Sequence, residues 1–366
     1  MDTNMQNAPK ITKESKNKIR VEFDRTPLKE RLKAKFLNLY FFQRVAWMIF
    51  RLVLLIGISY VVLFPFISKI AGSFMSPEDF VDVTVRLIPK NFTLDIYKAV
   101  LFELEYWEAF TNTLLISLIS ALLQTFICCL IGYGLAKFRF KGNSLVMMLV
   151  ILTMIVPHQT LQLSMFMGFR YFDILGILSF LSGGASVGFM PDGFNEFLAG
   201  IQILKLDDYA LALTNTYWPM VILSATGLAF KNGLYIFMLR QFFTGVPDAL
   251  EESAYIDGSG VFRTFFTIIL PLSIPMMVTV FLFAFCWQWT DDFYTELFFT
   301  TSKITLMPDI VEIPTSLKTD YAGQNMYYTA IRNTCGICII APLVILYCFG
   351  QNFLVQGIER SGLTAE

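Results

Sequence analysis

Residues 247–275 read PDALEESAYIDGSGVFRTFFTIILPLSIP. A short, charged, helix-forming segment ends at Gly258, and the Leu270-Pro271 pair then leads into an apolar run long enough to cross a bilayer. Pro247 suits a first helical position, and Asp248, Glu251 and Glu252 complement the positive helix N-terminus. Ala249, Leu250, Ala254 and Ile256 give the helix an apolar side, and Gly258 suits its exit, where a left-handed backbone is easiest for glycine. A helix this short does not persist alone in water, so it needs a docking surface on its own protein or on a partner. Its acidic residues favour a groove that holds Arg or Lys. Read from these residues alone, the segment is equally a grip for a soluble partner or an ordinary loop between two spans.

The rest of the chain decides what surrounds that loop. Of 366 residues, 55% are hydrophobic, and the mean hydropathy is +0.58. The apolar excess is concentrated in six runs without Asp, Glu, Lys or Arg: 52–68, 109–136, 142–169, 209–230, 264–290 and 333–358. About 17–25 apolar residues span the hydrocarbon, and a charge at its centre costs about 2.5–3.5 kcal/mol on the insertion scale. Each run therefore predicts one membrane helix, the fourth able to continue past Lys231 to about Phe243. The expected fold is an all-α integral membrane protein with six transmembrane helices.

With both termini inside, the inner segments carry the excess of Lys and Arg, which favours an N-in/C-in orientation. Residues 1–27, rich in Lys, Asn, Ser and Glu with few apolar residues, are expected to be disordered. Leu28, Leu32, Phe36 and Leu39, with lysines and Arg31 between them, predict a basic amphipathic helix on the cytoplasmic membrane face. Residues 1–44 form this arm, and the polar start predicts an uncleaved first span rather than a removable signal. Pro157 predicts a kink in span three beside the only histidine, His158, which is read as packing or path lining rather than catalysis. All six cysteines fall inside predicted spans, and Cys335-Gly-Ile-Cys338, without a second pair, reads as helix packing.

The spacing of Glu252-Ser253-Ala254, Asp257-Gly258, Ile268, Leu270-Pro271 and Pro275 resembles the EAA loop of ABC importer permeases. Ser253 replaces the usual middle alanine, a small-for-small change. Asn112-Thr-Leu114, Gly132-Tyr-Gly-Leu-Ala136, Phe140-Lys-Gly142, Leu239-Arg-Gln-Phe-Phe243 and Gln351-Asn-Phe-Leu-Val-Gln-Gly357 extend the likeness over most of 45–363. They are similar to the carbohydrate branch, closest to the second permease of maltose-type and multiple-sugar importers. The chain departs from that pattern at Trp289-Thr-Asp-Asp-Phe293, where the family has Trp-Asn-Asp-Phe. Residues 175–210 read as an extracytoplasmic insertion.

The resemblance implies an ABC type I importer-like fold, with a six-span permease domain over 45–363, a core transport domain over about 109–355 and a coupling helix at 247–258. It implies ATPase coupling through Glu252, Ser253, Ala254, Asp257 and Gly258. No GxxxxGK[ST] phosphate loop occurs in the chain, so no cofactor is expected on it; ATP and Mg²⁺ belong to separate ATPase subunits. The implied partners are a second permease subunit in a heterodimer, two ATPase subunits, an extracytoplasmic sugar-binding protein and membrane lipid, with no nucleic acid, in the bacterial cell membrane. Trp287, Gln288, Trp289, Asp291 and Tyr294 supply aromatic faces and polar groups at the outer end of span five, either for a sugar path or for the interfacial belt. Three other readings stand beside this one. A similar machine could carry a peptide, a polyamine or phosphate. An ion-coupled carrier working alone predicts charges within spans, and the six runs contain none. An intramembrane enzyme needs a clustered catalytic or metal site.

Overall fold

The computed structural model describes residues 11–14, 18–21, 39–172, 206–207, 210–211, 213–300, 304–320 and 324–362. The chain divides into two compact units, residues 1–68 and 69–366. In the first, β1 (Ile11–Glu14) pairs antiparallel with β2 (Lys18–Val21), where composition alone predicts no secondary structure. The β-branched Ile11, Thr12, Ile19 and Val21 supply the local strand preference. Helix α1 (Leu39–Gly72) makes up most of this unit, and none of its most apolar window is buried. A helix apolar all round and exposed along its length is built for lipid. The basic helix expected from Leu28 and most of the 175–210 insertion lie outside the described residues.

The second unit is built around α3 (Tyr106–Lys137), which follows the short α2 (Asp95–Phe102). No proline interrupts α3, and it ends where Lys137 leaves the apolar run. It packs along α6 (Trp218–Thr226), α7 (Asn232–Thr244) and α9 (Val261–Trp289), and α9 packs along α11 (Gln324–Gly362). Gly132 lets α3 and α7 meet backbone to backbone: a Cβ there would stand 2.9 Å from the Leu239 Cβ. Within α9, Phe265–Ile269 forms a π turn just before Pro271. Proline has no N–H for the regular ladder, and the wider turn absorbs the mismatch.

The six runs do not become six continuous helices. Among the described residues, α1, α3, α9 and α11 are long and apolar enough to cross a membrane singly. The run 142–169 is two helices, α4 (Asn143–Ile155) and α5 (Gln162–Arg170), bent by 95° at a break around Pro157. The expected kink is therefore a full break. The run 209–230 is corrected further: among the described residues helix begins only at Trp218, stops at Gly227, and resumes as α7, which ends at Thr244, close to the expected Phe243. Gly227 (φ 77°) and Lys231 (φ 70°) both hold left-handed backbone, which no helix tolerates within it.

Two apolar cores result. Tyr235, Leu239, Ile269, Met276, Trp289 and Ile331 belong to the main one, into which α4 also sends Met147. Phe169 of α5, Met220 and Leu223 of α6, and Leu297 and Phe298 of α10 (Phe293–Phe298) form a satellite core.

Candidate coupling and translocation sites

The charged segment folds as α8 (Ala249–Ile256), with Asp248 at its N-cap and Gly258 at φ 81° beyond its end. Gly258 N–H donates to Tyr255 O at 3.0 Å and Ser259 N–H to Ala254 O at 2.9 Å, satisfying carbonyls of the last turn. The helix is fixed to its own chain through α3. Lys137 Nζ, on a side chain only 6% exposed, lies 2.6 Å from Asp248 Oδ1 and 3.8 Å from Glu251 Oε1. It also donates to Val246 O at 2.6 Å. Tyr133 OH donates to Glu251 Oε2 at 3.4 Å, and the Tyr133 ring is held between Phe243 and Phe265. The bond from Lys137 holds the Asp248 carboxyl below its ordinary range.

Glu251 and Ala254 are thus the buried face of α8, and Glu252, Ser253, Asp257 and Gly258 are exposed. The sequence reading gave Glu251 only a helix-dipole role; its burial follows from Lys137 and Tyr133 of α3, which only the fold brings to it. The outer face is apolar as well as acidic. Leu250, Tyr255, Ile256 and Phe262 are exposed, Ile256 to 85% and Phe262 to 82%. A face of this kind, acidic at Glu252 and Asp257 with large apolar side chains between, suits a groove that offers both a cation and an apolar floor.

The five path candidates separate. Trp289 is fully buried, donates to Ile339 O at 2.9 Å, and packs against Phe110 and Phe285. It is core, and it lines no path. Trp287, Gln288, Asp291 and Tyr294 share one small void with Gln124 and Phe230. Burial pushes the Asp291 carboxyl up to about 7, with the neighbouring Asp292 adding to the shift.

A much larger cavity, about 720 Å³, opens where the α4–α5 and α6–α7 breaks face each other; Thr153, Pro157 and His158 line it from one break, and Gly227, Phe230 and Lys231 from the other. Lys231 Nζ sits 4.3 Å from the Phe230 ring centroid and 4.6 Å from that of Trp287, and the His158 ring meets Phe230 edge-on at 4.5 Å. Lys231 lies directly before the 13 residues of α7, about 20 Å of helix from the loop that carries α8. Among the described residues, no group of His, Cys, Asp and Glu could hold a metal ion, and the six cysteines are free.

Residues 129–360 match the family described as the binding-protein-dependent transport system inner membrane component. The chain is 25% identical over 301 residues to the polygalacturonan/rhamnogalacturonan transport system permease protein YtcP of Bacillus subtilis (strain 168), covering 80% of this chain and 89% of that protein. It is 24% identical over 309 residues to the arabinooligosaccharides transport system permease protein AraQ of Halalkalibacterium halodurans, covering 84% and 92%. A solved bacterial ABC transporter involved in the import of the acidic polysaccharide alginate has the same fold, with a TM-score of 0.58 at 17% identity over 85% of this chain and 97% of that one. The family match takes in α8, its Lys137 anchor and both broken spans, and the chain belongs to the inner-membrane components of binding-protein-dependent transport systems.

Proposed function

We propose that this chain is one of two permease subunits of an ATP-driven ABC importer, and that it moves a carbohydrate, an oligosaccharide delivered by an extracytoplasmic binding protein. The family membership supports the machine, and the carbohydrate named in both relatives supports the cargo. In this reading the chain crosses the membrane six times, N-in/C-in, with the α4–α5 and α6–α7 pairs each serving as one broken span. Hydrolysis of ATP belongs to two separate subunits docked inside.

One observation carries the coupling role. The helix α8 is anchored on its inner face by Lys137 and Tyr133, and its outer face carries exposed Glu252, Tyr255, Ile256 and Asp257. A helix fixed to α3 on one side and open on the other can pass a push from a soluble subunit into the membrane bundle. Glu252, Ser253 and Asp257 are its partner-facing polar groups, Ala254 packs it down, and Gly258 shapes its exit.

The test is co-purification from mild-detergent membranes followed by reconstitution. A second permease, an ATPase and a sugar-binding protein should accompany the tagged chain, and replacing Glu252 should weaken the ATPase contact while the chain remains inserted. Lys231 gives the solitary ion-coupled carrier the intramembrane charge that such a carrier requires. A chain that purifies alone and transports alone would establish that carrier and overturn the importer.

A further inference from the structure

Lys231 is held, but it is not neutralised. Two aromatic rings flank its ammonium, and among the described residues no carboxylate lies within ion-pair distance and no hydrogen bond takes up its donors. Asp291 lines the small void that Phe230 and Trp287 also line, and accepts the N–H of Tyr294 at 3.0 Å. A charge set among apolar helices pairs with another charge, with backbone carbonyls or with what passes through the protein. Among the described residues the first two are absent. The rings fix the ammonium without cancelling its charge, so it is ready for an anion that arrives from outside the chain.

The cavity around it has the size of a small-molecule site, which is usually about 300–1,000 Å³. Its walls are apolar apart from a few convergent groups, Thr153, His158, Gln159 and Lys231. Hydroxyl, amide and imidazole groups suit a polyhydroxylated ligand, because each both donates and accepts. A neutral sugar would leave the desolvated ammonium unpaired. One carboxylate balances it.

We propose that the cavity between the two broken spans binds an acidic oligosaccharide, with Lys231 pairing to a uronate carboxylate and Thr153, His158 and Gln159 meeting ring hydroxyls. This inference rests on the carbohydrate-importer reading and narrows it to a charged class of sugar.

The test uses the complete reconstituted importer in proteoliposomes. Trimers of galacturonate, glucuronate and mannuronate are compared with their methyl esters, which keep size and hydroxyls but lose the charge. Substrate-stimulated ATP hydrolysis and uptake are measured for wild type, Lys231→Gln and Lys231→Arg. At least one acid should exceed its ester by about tenfold or more in the wild type, the margin of a single charge-assisted contact. Lys231→Gln should lose that uptake and Lys231→Arg should keep it. The binding protein is the same in all three, so a changed preference belongs to this residue. Co-purification of the ATPase with each variant reports folding separately from transport. Equal response to acid and ester, or an acid preference that survives in Lys231→Gln, would overturn the proposal. Uptake of neutral oligosaccharides only would overturn it and leave the importer standing, whereas absence of an ATPase partner would remove the importer reading itself.

Discussion

Lys137 and Asp248 stand 111 positions apart in sequence, yet Lys137 Nζ and Asp248 Oδ1 meet at 2.6 Å. The same ammonium faces buried Glu251, so one lysine ties the end of α3 to the first turn of α8. Removing it should loosen the helix from its base. Lys137→Gln leaves Glu251 buried without its cation, at a cost of about 1–3 kcal/mol. Transport should fall more than ATPase binding does, and the double variant Lys137→Gln/Glu251→Gln should recover part of the lost stability. Thermal unfolding in detergent, run as a double-mutant cycle, checks this.

Glu251 and Glu252 are sequence neighbours with opposite surroundings. Glu251→Ala should lower the melting temperature, because it exposes Tyr133 and Lys137 to an empty site. Glu252→Ala should leave melting nearly unchanged and weaken retention of the ATPase. Fluorescence-detected size exclusion paired with a pull-down separates the two outcomes, and equal effects from both variants would refute the division of faces.

Gly258 holds φ 81° with open space where a Cβ would go. The cost of substitution there is backbone strain rather than collision. Gly258→Ala should cost about 1–2 kcal/mol locally and impair coupling, and Gly258→Asn should do less harm. Uptake per ATP hydrolysed is the measurement; an alanine variant with wild-type coupling would show that the left-handed exit is dispensable.

Asp291 gives a pH dependence. Its carboxyl is raised from 3.8 to about 7 by burial, so the folded chain holds a proton that the unfolded chain has released between those values. Stability must then fall as pH rises through that window, because the folded state binds more protons there. The melting temperature should be higher at pH 5 than at pH 8, and Asp291→Asn should flatten the difference. A wild-type profile that rises with pH would contradict the burial of this group.

Much of this architecture is legible in the sequence, for a simple reason. The runs 109–136 and 264–290 fall within α3 and α9 because lipid tolerates neither charge nor unpaired backbone, and both constraints can be read residue by residue. The same rule fails at 209–230. A charge-free run says nothing about backbone, and the break at Gly227–Lys231 depends on left-handed conformations, one of them at a lysine that nothing local marks. At α8, the short helix and its glycine exit could be read from propensity. The buried role of Glu251 could not, because it depends on Lys137, which only the tertiary fold brings near.

The two breaks divide each broken span between the two apolar cores. Helices α4 and α7 are packed in the main core, and α5 and α6 in the satellite. The joints at Pro157 and Gly227–Lys231 are already free of the helical hydrogen-bond ladder. A displacement arriving through α8 can therefore turn at these joints without tearing either core, as a lever turns on a fulcrum that is part of its own length. The cavity lies at that fulcrum, so a small tilt of the arms changes its walls first, and whatever it holds is gripped or let go before the rest of the bundle has moved.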